Sequence, residues 1–262
     1  MSKKVVFETN GDVGLIRLTD APLNLFGDVF VAELDEAVTA AERSSIRGLL
    51  ILADGPHFSG GADVRIFQGK SAAAAREMFE RYIPVIQRLE ALPVPTLAAV
   101  QGFCLAAGLE LALACDMIFA AQTARFSQVE ALIGTTTLLG GAQRLAARVG
   151  VARAREIVYT ADLYDARTFE AWHIVNRVVT DELLQDEAMA FIQRLAKGPT
   201  KAFAADKALV REAQLNGIEA ADRLILDIGA ALFETEDMQA GVERILREGA
   251  RNARKSPRFK GC

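Results

Sequence analysis

Three short apolar runs set the strongest limit on what this chain can fold into: GLLILADG at 48–55, PTLAAVQG at 95–102 and DMIFAA at 116–121. None shows the polar alternation of a strand with one wet face, so each reads as a strand covered on both sides. The segment from Asp28 to about Arg43 carries Phe30, Leu34, Ala37, Val38 and Ala41 at helical spacing and leads into the first run. A helix from roughly Ala72 to Ala91 leads into the second, with Pro93 and Pro95 punctuating its entry. An Ala/Leu-rich helix after Gly108 leads into the third. Helices alternating with buried strands predict an α/β core with right-handed crossovers. Ahead of it, VVFET and VGLIRLT flank an NGD turn, a hairpin signal. After about Gly150 the strand signals fade. VARAREIVYT, DARTFEAW, ELLQDEAMAFIQRLAKG, KAFAADKALVREAQ and the stretch from Gly217 to Asn252 read as helices. No hinge rich in Pro, Gly or Ser divides the halves, so these helices are expected to pack on the core or on a neighbouring subunit.

Composition narrows the function classes. The 262 residues, 51% of them hydrophobic, suit one large domain or one core with a small appendage. A formal charge of -4 gives no basic surface for general attraction to nucleic acid. Cys104, Cys115 and Cys262 have neither paired nor CxxC spacing, and with only His57 and His173 no metal-ligand cluster is visible. A reduced, metal-free, cytoplasmic protein is expected. The start MSKKVVFETNGD is polar, and no stretch approaches the roughly 20 apolar residues of a membrane span, so neither a secretion signal nor a membrane anchor is expected.

Two turns carry candidate chemistry. HFSGGADV at 57–64 follows the first apolar run, and QGFCLAAGLEL at 101–111 follows the second and opens a helix. Small residues there let backbone amides approach a charged oxygen, although either turn alone also suits a close strand-to-helix connection. Neither turn has GxGxxG or GxxxxGK[ST] spacing, so the nucleotide fingerprints are absent. Glu110 is isolated: its neighbours three and four positions away are Ala106, Ala107, Leu113 and Ala114, so no polar stripe accompanies it. That leaves a paired structural ion or a functional carboxylate. Glu130, in RFSQVEALIGTTTLLGGAQRL, lies across the DMIFAA strand from it, and by itself equally suits a cap or ion pair on a surface turn. Two carboxylates folded into one pocket would push their proton affinities apart, leaving one as base and one as acid.

Together, HFSGGADV, GFCLAAGLELALACD and FSQVEALIGTTTLLGGAQRLAARVG resemble the crotonase, or enoyl-CoA hydratase/isomerase, superfamily, over essentially the full chain. The resemblance implies a spiral of ββα units with a helical C-terminal trimerisation region. That divides the chain into a core at 1–195, holding the CoA-ester site, and a helical oligomerisation region at 196–262, in a homotrimer or a dimer of trimers. It implies an oxyanion hole made of the backbone N–H groups of Ala62 and Ala107, with Gly61 and Gly108 permitting close approach. Glu110 and Glu130 occupy both hydratase carboxylate positions. Gly60, Gly61, Ala62, Asp63, Val64 and Arg65 would line the groove for coenzyme A, which is part of the substrate, so no separate cofactor is implied. Gly60 stands where alanine is common and Ala107 where glycine is frequent, and a backbone donor survives both changes. TTTLLGGAQRL departs from the loop usual after the second acid, and APLNLFGDVF shapes the acyl side. The implied reaction is hydration of a 2-enoyl-CoA to a 3-hydroxyacyl-CoA. Double-bond isomerisation and non-catalytic CoA-ester binding are the alternatives. His57, Cys104, Cys115, Trp172, Tyr159 and Tyr164 read as structural. The tail ARNARKSPRFKG is a solvated end, or brings Phe259 and Lys260 near the CoA adenine and phosphates, as in similar proteins.

Overall fold

The computed structural model describes residues 2–249 and 259–262. The chain begins with β1 (Val5–Asn10), β2 (Val13–Leu18), α1 (Asp28–Arg43), β3 (Gly48–Ala53) and α2 (Ala72–Ala91). It continues through β4 (Thr96–Val100), β5 (Phe103–Leu105), α3 (Ala107–Leu113), β6 (Met117–Ala121) and β7 (Arg125–Ser127). Next come α4 (Gly141–Val149), α5 (Val151–Thr160), β8 (Tyr164–Asp165), α6 (Ala166–Ala171) and β9 (Arg177–Val179). Four helices complete the described residues: α7 (Leu184–Ala196), α8 (Thr200–Asn216), α9 (Ile218–Ala231) and α10 (Glu236–Glu248).

The main sheet has the order β1-β2-β3-β4-β6-β9. The N-terminal hairpin pairs Val5 with Leu18 and Asn10 with Val13, and every later neighbour in the sheet is parallel. All residues of β3 and β4 are buried, as continuous apolar runs require. Helix α1 turns Phe30, Leu34, Ala37, Val38 and Ala41 inward, and α7 packs on β3, β4 and β6. A second, small sheet has the order β5-β7-β8. The expected ββα rhythm is visible as β1-β2-α1 and β4-β5-α3, and as β6-β7 leading to α4. In the β3 cycle the second strand is reduced to isolated bridges, Ser59 with Cys104 and Phe26 with Ala62.

Two expectations need correction. The second half is not wholly helical, because β9 joins the sheet edge beside β6 and β8 joins β7. The stretch from Gly217 is not continuous: α9 ends at Ala231, and Thr235 caps α10 by accepting the Met238 amide at 3.2 Å. Residues 250–252 of that stretch, and 250–258 of the tail, lie outside the described residues. Tyr164 and Trp172 do pack together, with ring centroids 5.0 Å apart, whereas Tyr159 is 71% exposed. Cys104 and Cys115 are buried free thiols.

Helices α8 to α10 form an outer region tied to the core at few points. Lys207 pairs with Asp116 at 3.0 Å, and Arg47 donates to Thr200 Oγ1, the Gly198 carbonyl and the Phe259 carbonyl. Residues 259–262 fold against α10, where Asp237 accepts the Lys260 and Gly261 amides at 2.6 and 2.8 Å. Large apolar side chains, among them Leu215, Ile218, Leu226 and Phe233, remain exposed on this region.

Candidate active site

The two glycine turns meet because the chain at 57–59 runs alongside the chain at 101–105. Phe58 donates to the Gln101 carbonyl, Ser59 to Phe103 and Leu105 back to Ser59, at 2.8, 2.9 and 3.0 Å. His57 helps as an acceptor: its Nδ1 takes the Phe103 amide at 3.1 Å, a structural role. The glycines then let chain approach chain. A Cβ on Gly61, whose φ is +95°, would stand 2.8 Å from Ala106 Cβ, and one on Gly108 would stand 2.5 Å from Ser59 Cβ. Their missing side chains are thus filled by the opposite turn, where close approach to a ligand was expected. Ala106 takes φ +46° and ψ -122°, a sparsely populated conformation that costs a residue with a side chain about 1–3 kcal/mol, and its amide is fixed by the Ser127 carbonyl at 2.9 Å. The amides of Ala62 and Ala107 have no acceptor among the described residues, and both residues line one cleft.

That cleft, about 820 Å³ counting its open mouth, also receives Glu110 and Glu130. Its walls are mainly apolar, with Phe26, Met78, Phe79, Val129, Leu132 and Leu139 among them, and Tyr82 lines it too. The Tyr82 hydroxyl is already spent on Asp28, to which it donates at 2.9 Å. Glu110 is 1% exposed, and its Oε1 accepts the Leu139 and Gly141 amides at 2.7 and 2.8 Å. Burial pushes its carboxyl above the ordinary range, while those two amides and the Arg144 guanidinium pull it back. Glu130 opens a single 3-10 turn, Glu130–Ile133. Burial, then the charge of Glu110, push its carboxyl up to about 8.

Sequence reading missed Gln128, which is buried beside Glu130. With its amide nitrogen turned inward, it donates to both Glu130 carboxylate oxygens at 2.9 Å. It also missed why Gly140 and Gly141 stand at the start of α4. A Cβ on Gly141 would stand 2.5 Å from the other end of the Gln128 side-chain amide and 3.0 Å from Glu110 Cγ. Of the expected CoA-groove residues, Gly60, Ala62 and Val64 line the cleft. Asp63 and Arg65 pair with each other at 2.6 Å, the Arg65 side chain being 82% exposed. Phe259 and Lys260 contact α10 and do not line the cleft. Among the described residues, no group of three or more His, Cys, Asp or Glu could hold a metal, and no helix is long and apolar enough to cross a membrane.

Known proteins resemble this one over nearly the whole chain. The family profile described as Enoyl-CoA hydratase/isomerase matches residues 8–251. A probable enoyl-CoA hydratase of Rhizobium meliloti is 33% identical over 241 residues, covering 91% of this chain and 93% of that protein. The 1,2-epoxyphenylacetyl-CoA isomerase of Escherichia coli is 31% identical, covering 91% of each chain. A crystal structure of an enoyl-CoA hydratase subunit I from Geobacillus kaustophilus superposes with a TM-score of 0.91 at 31% identity, covering 100% of both chains. From its fold, its turns and these likenesses, the chain belongs to the enoyl-CoA hydratase/isomerase family of the crotonase superfamily.

Proposed function

We propose that this protein hydrates an apolar 2-enoyl-CoA thioester to the 3-hydroxyacyl-CoA. The observation that carries the reading is the pairing of two buried carboxylates, Glu110 and Glu130, in one apolar cleft beside two backbone amides that have no acceptor among the described residues. The thioester oxygen sits between the Ala62 and Ala107 amides, which draw electron density from the double bond, and each such donor contributes about 3 kcal/mol to the transition state. Glu110, favoured as the anion by two amides, takes a proton from water as the water oxygen bonds to C3. Glu130 gives its proton to C2. A proton passing from Glu110 to Glu130 restores the pair, and the net change is addition of one water. The enzyme uses no separate cofactor, since coenzyme A arrives on the substrate. Gly60, Gly61, Ala62, Asp63, Val64 and Arg65 form the path of the CoA moiety, with Arg65 towards its phosphates and Gly108 supporting the second turn. The apolar acyl walls favour an unsubstituted hydrocarbon chain, because the Tyr82 hydroxyl is already paired. The helices of 196–262, with their exposed apolar side chains, join three copies, or six as a dimer of trimers.

A second reading is isomerisation without added water, favoured by the 1,2-epoxyphenylacetyl-CoA isomerase among the relatives; in its double-bond form it needs only one acid. The test is turnover of short, medium and long 2-enoyl-CoA thioesters by wild type, Glu110→Gln and Glu130→Gln. Each variant should lose about 100-fold or more in kcat with CoA-ester affinity nearly unchanged, because the amide keeps the shape and loses the proton chemistry. Near-wild-type hydration by either variant removes that acid from the mechanism. Products with a shifted double bond and no added water favour isomerisation.

A further inference from the structure

We propose that Arg144, anchored by Glu90, is the positioning residue that aims the 139–141 loop amides at Glu110 and so sets that carboxylate's orientation and charge. The inference rests on the hydration reading above, since it concerns the base of that reaction. Arg144 lies on α4 with its side chain only 13% exposed. Its Nε and Nη2 take both carboxylate oxygens of Glu90, near the end of α2, at 2.9 and 2.7 Å, a fork that fixes the guanidinium plane. Its Nη1 then donates to the carbonyls of Leu139 and Gly140 at 2.9 and 3.3 Å. The trans peptide joining Gly140 to Gly141 points its carbonyl and its N–H in opposite directions. Holding the Gly140 carbonyl from one side therefore turns the Gly141 N–H to the other, where it meets Glu110 Oε1 at 2.8 Å. A carbonyl that accepts a hydrogen bond also makes the N–H of the same peptide a better donor.

The glycine between these partners fits that geometry. Gly140 has φ +100°, and a Cβ there would stand 2.0 Å from Arg144 Nη1, so only glycine leaves room for the guanidinium. The ionisable groups about Glu110 are Glu130 across the cleft and Arg144 behind the loop. Glu90 backs Arg144, Arg148 follows one turn along α4, and Tyr82 lines the same cleft. Arg144 is thus the positive neighbour that favours ionised Glu110.

The test compares Arg144→Lys, Arg144→Gln and Glu90→Gln with wild type, reading kcat, KM, the pH dependence of kcat/KM and melting temperature. The Glu110 carboxyl is also titrated in the free enzyme by 13C NMR, its signal assigned by loss in Glu110→Gln. Arg144→Gln should lower kcat about 100-fold with KM changed less than about threefold, as for a small misplacement of a reacting group. It should move the Glu110 titration and the low-pH limb upward, since the stabilising cation is gone. Arg144→Lys keeps the charge and loses the fork, so the titration should return close to wild type while kcat stays reduced. Glu90→Gln removes a negative charge and should move the titration down. Wild-type kcat and titration in Arg144→Gln would overturn the proposal. So would a fall in activity that follows melting temperature while the Glu110 titration stays fixed, because Arg144 would then only hold the fold. If Arg144→Gln does not fold, an unmoved titration in Glu90→Gln together with wild-type kcat in Arg144→Lys overturns it. Failure of wild type to hydrate any enoyl-CoA would sink the hydration reading instead, and the NMR titration would still report on Arg144.

Discussion

Glu110 and Glu130 are both taken from water, yet their neighbours pull them apart. Glu110 has two amide donors and Arg144, whereas Glu130 has burial and the negative charge of Glu110 pushing its carboxyl up to about 8, with the Gln128 amide working against them. An acid raised in this way keeps its proton at neutral pH and loses it as pH climbs through that value. A reaction that takes a proton from Glu130 should therefore fall in kcat/KM above about pH 8, and the profile measured on wild type checks this. A rate flat from about pH 6 to pH 10 would contradict the assignment of Glu130 as acid. Glu110 was legible in the sequence because a charge surrounded at helical spacing by Ala and Leu has no polar stripe to belong to. Gln128 was not, since a polar residue two positions before an acid has no periodicity to mark it. Its meaning comes only when folding turns its amide onto Glu130. Glycines 61 and 108 were legible as turn residues, whereas their close packing on the opposite turn was not, because the partner of each turn lies about 45 residues away in sequence and is joined by backbone hydrogen bonds.

Among the elements, α1, α2 and α5 match the sequence reading to the residue, because each offers a long apolar period or clear turn punctuation. Strands β5, β7, β8 and β9 escape it because two or three residues are too few to show alternation. The break between α9 and α10 escapes it too, with no proline or glycine at Thr235 to signal the capped restart. The start of α4 is the element on which the site turns, since its glycines admit Arg144 on one side and the Glu110 and Gln128 side chains on the other. Gly141→Ala would place a methyl group 2.5 Å from the Gln128 side-chain amide and 3.0 Å from Glu110 Cγ, so both side chains must shift. We expect about a tenfold or greater loss of kcat from that displacement, with circular dichroism and melting temperature close to wild type. Full activity in Gly141→Ala would show that neither side chain depends on the contact.

At the scale of the whole molecule, the α/β core brings two turns and two acids to one cleft, while α8 to α10 carry exposed apolar residues outward. The parallel core was legible because its buried strands are uninterrupted apolar runs. The outer helices were legible as helices, but the exposure of their large apolar side chains was not, because helical periodicity does not say which face the fold leaves uncovered. Hydration and isomerisation use the same fold and differ in whether an atom of solvent remains in the product. Incubation with a 2-enoyl-CoA in 18O-labelled water, followed by mass spectrometry of the product, separates them directly. Water addition through Glu110 and Glu130 predicts a 3-hydroxyacyl-CoA with one labelled oxygen at C3, and loss of that product in Glu110→Gln and Glu130→Gln. An unlabelled product isomeric with the substrate, formed at the wild-type rate, would contradict it.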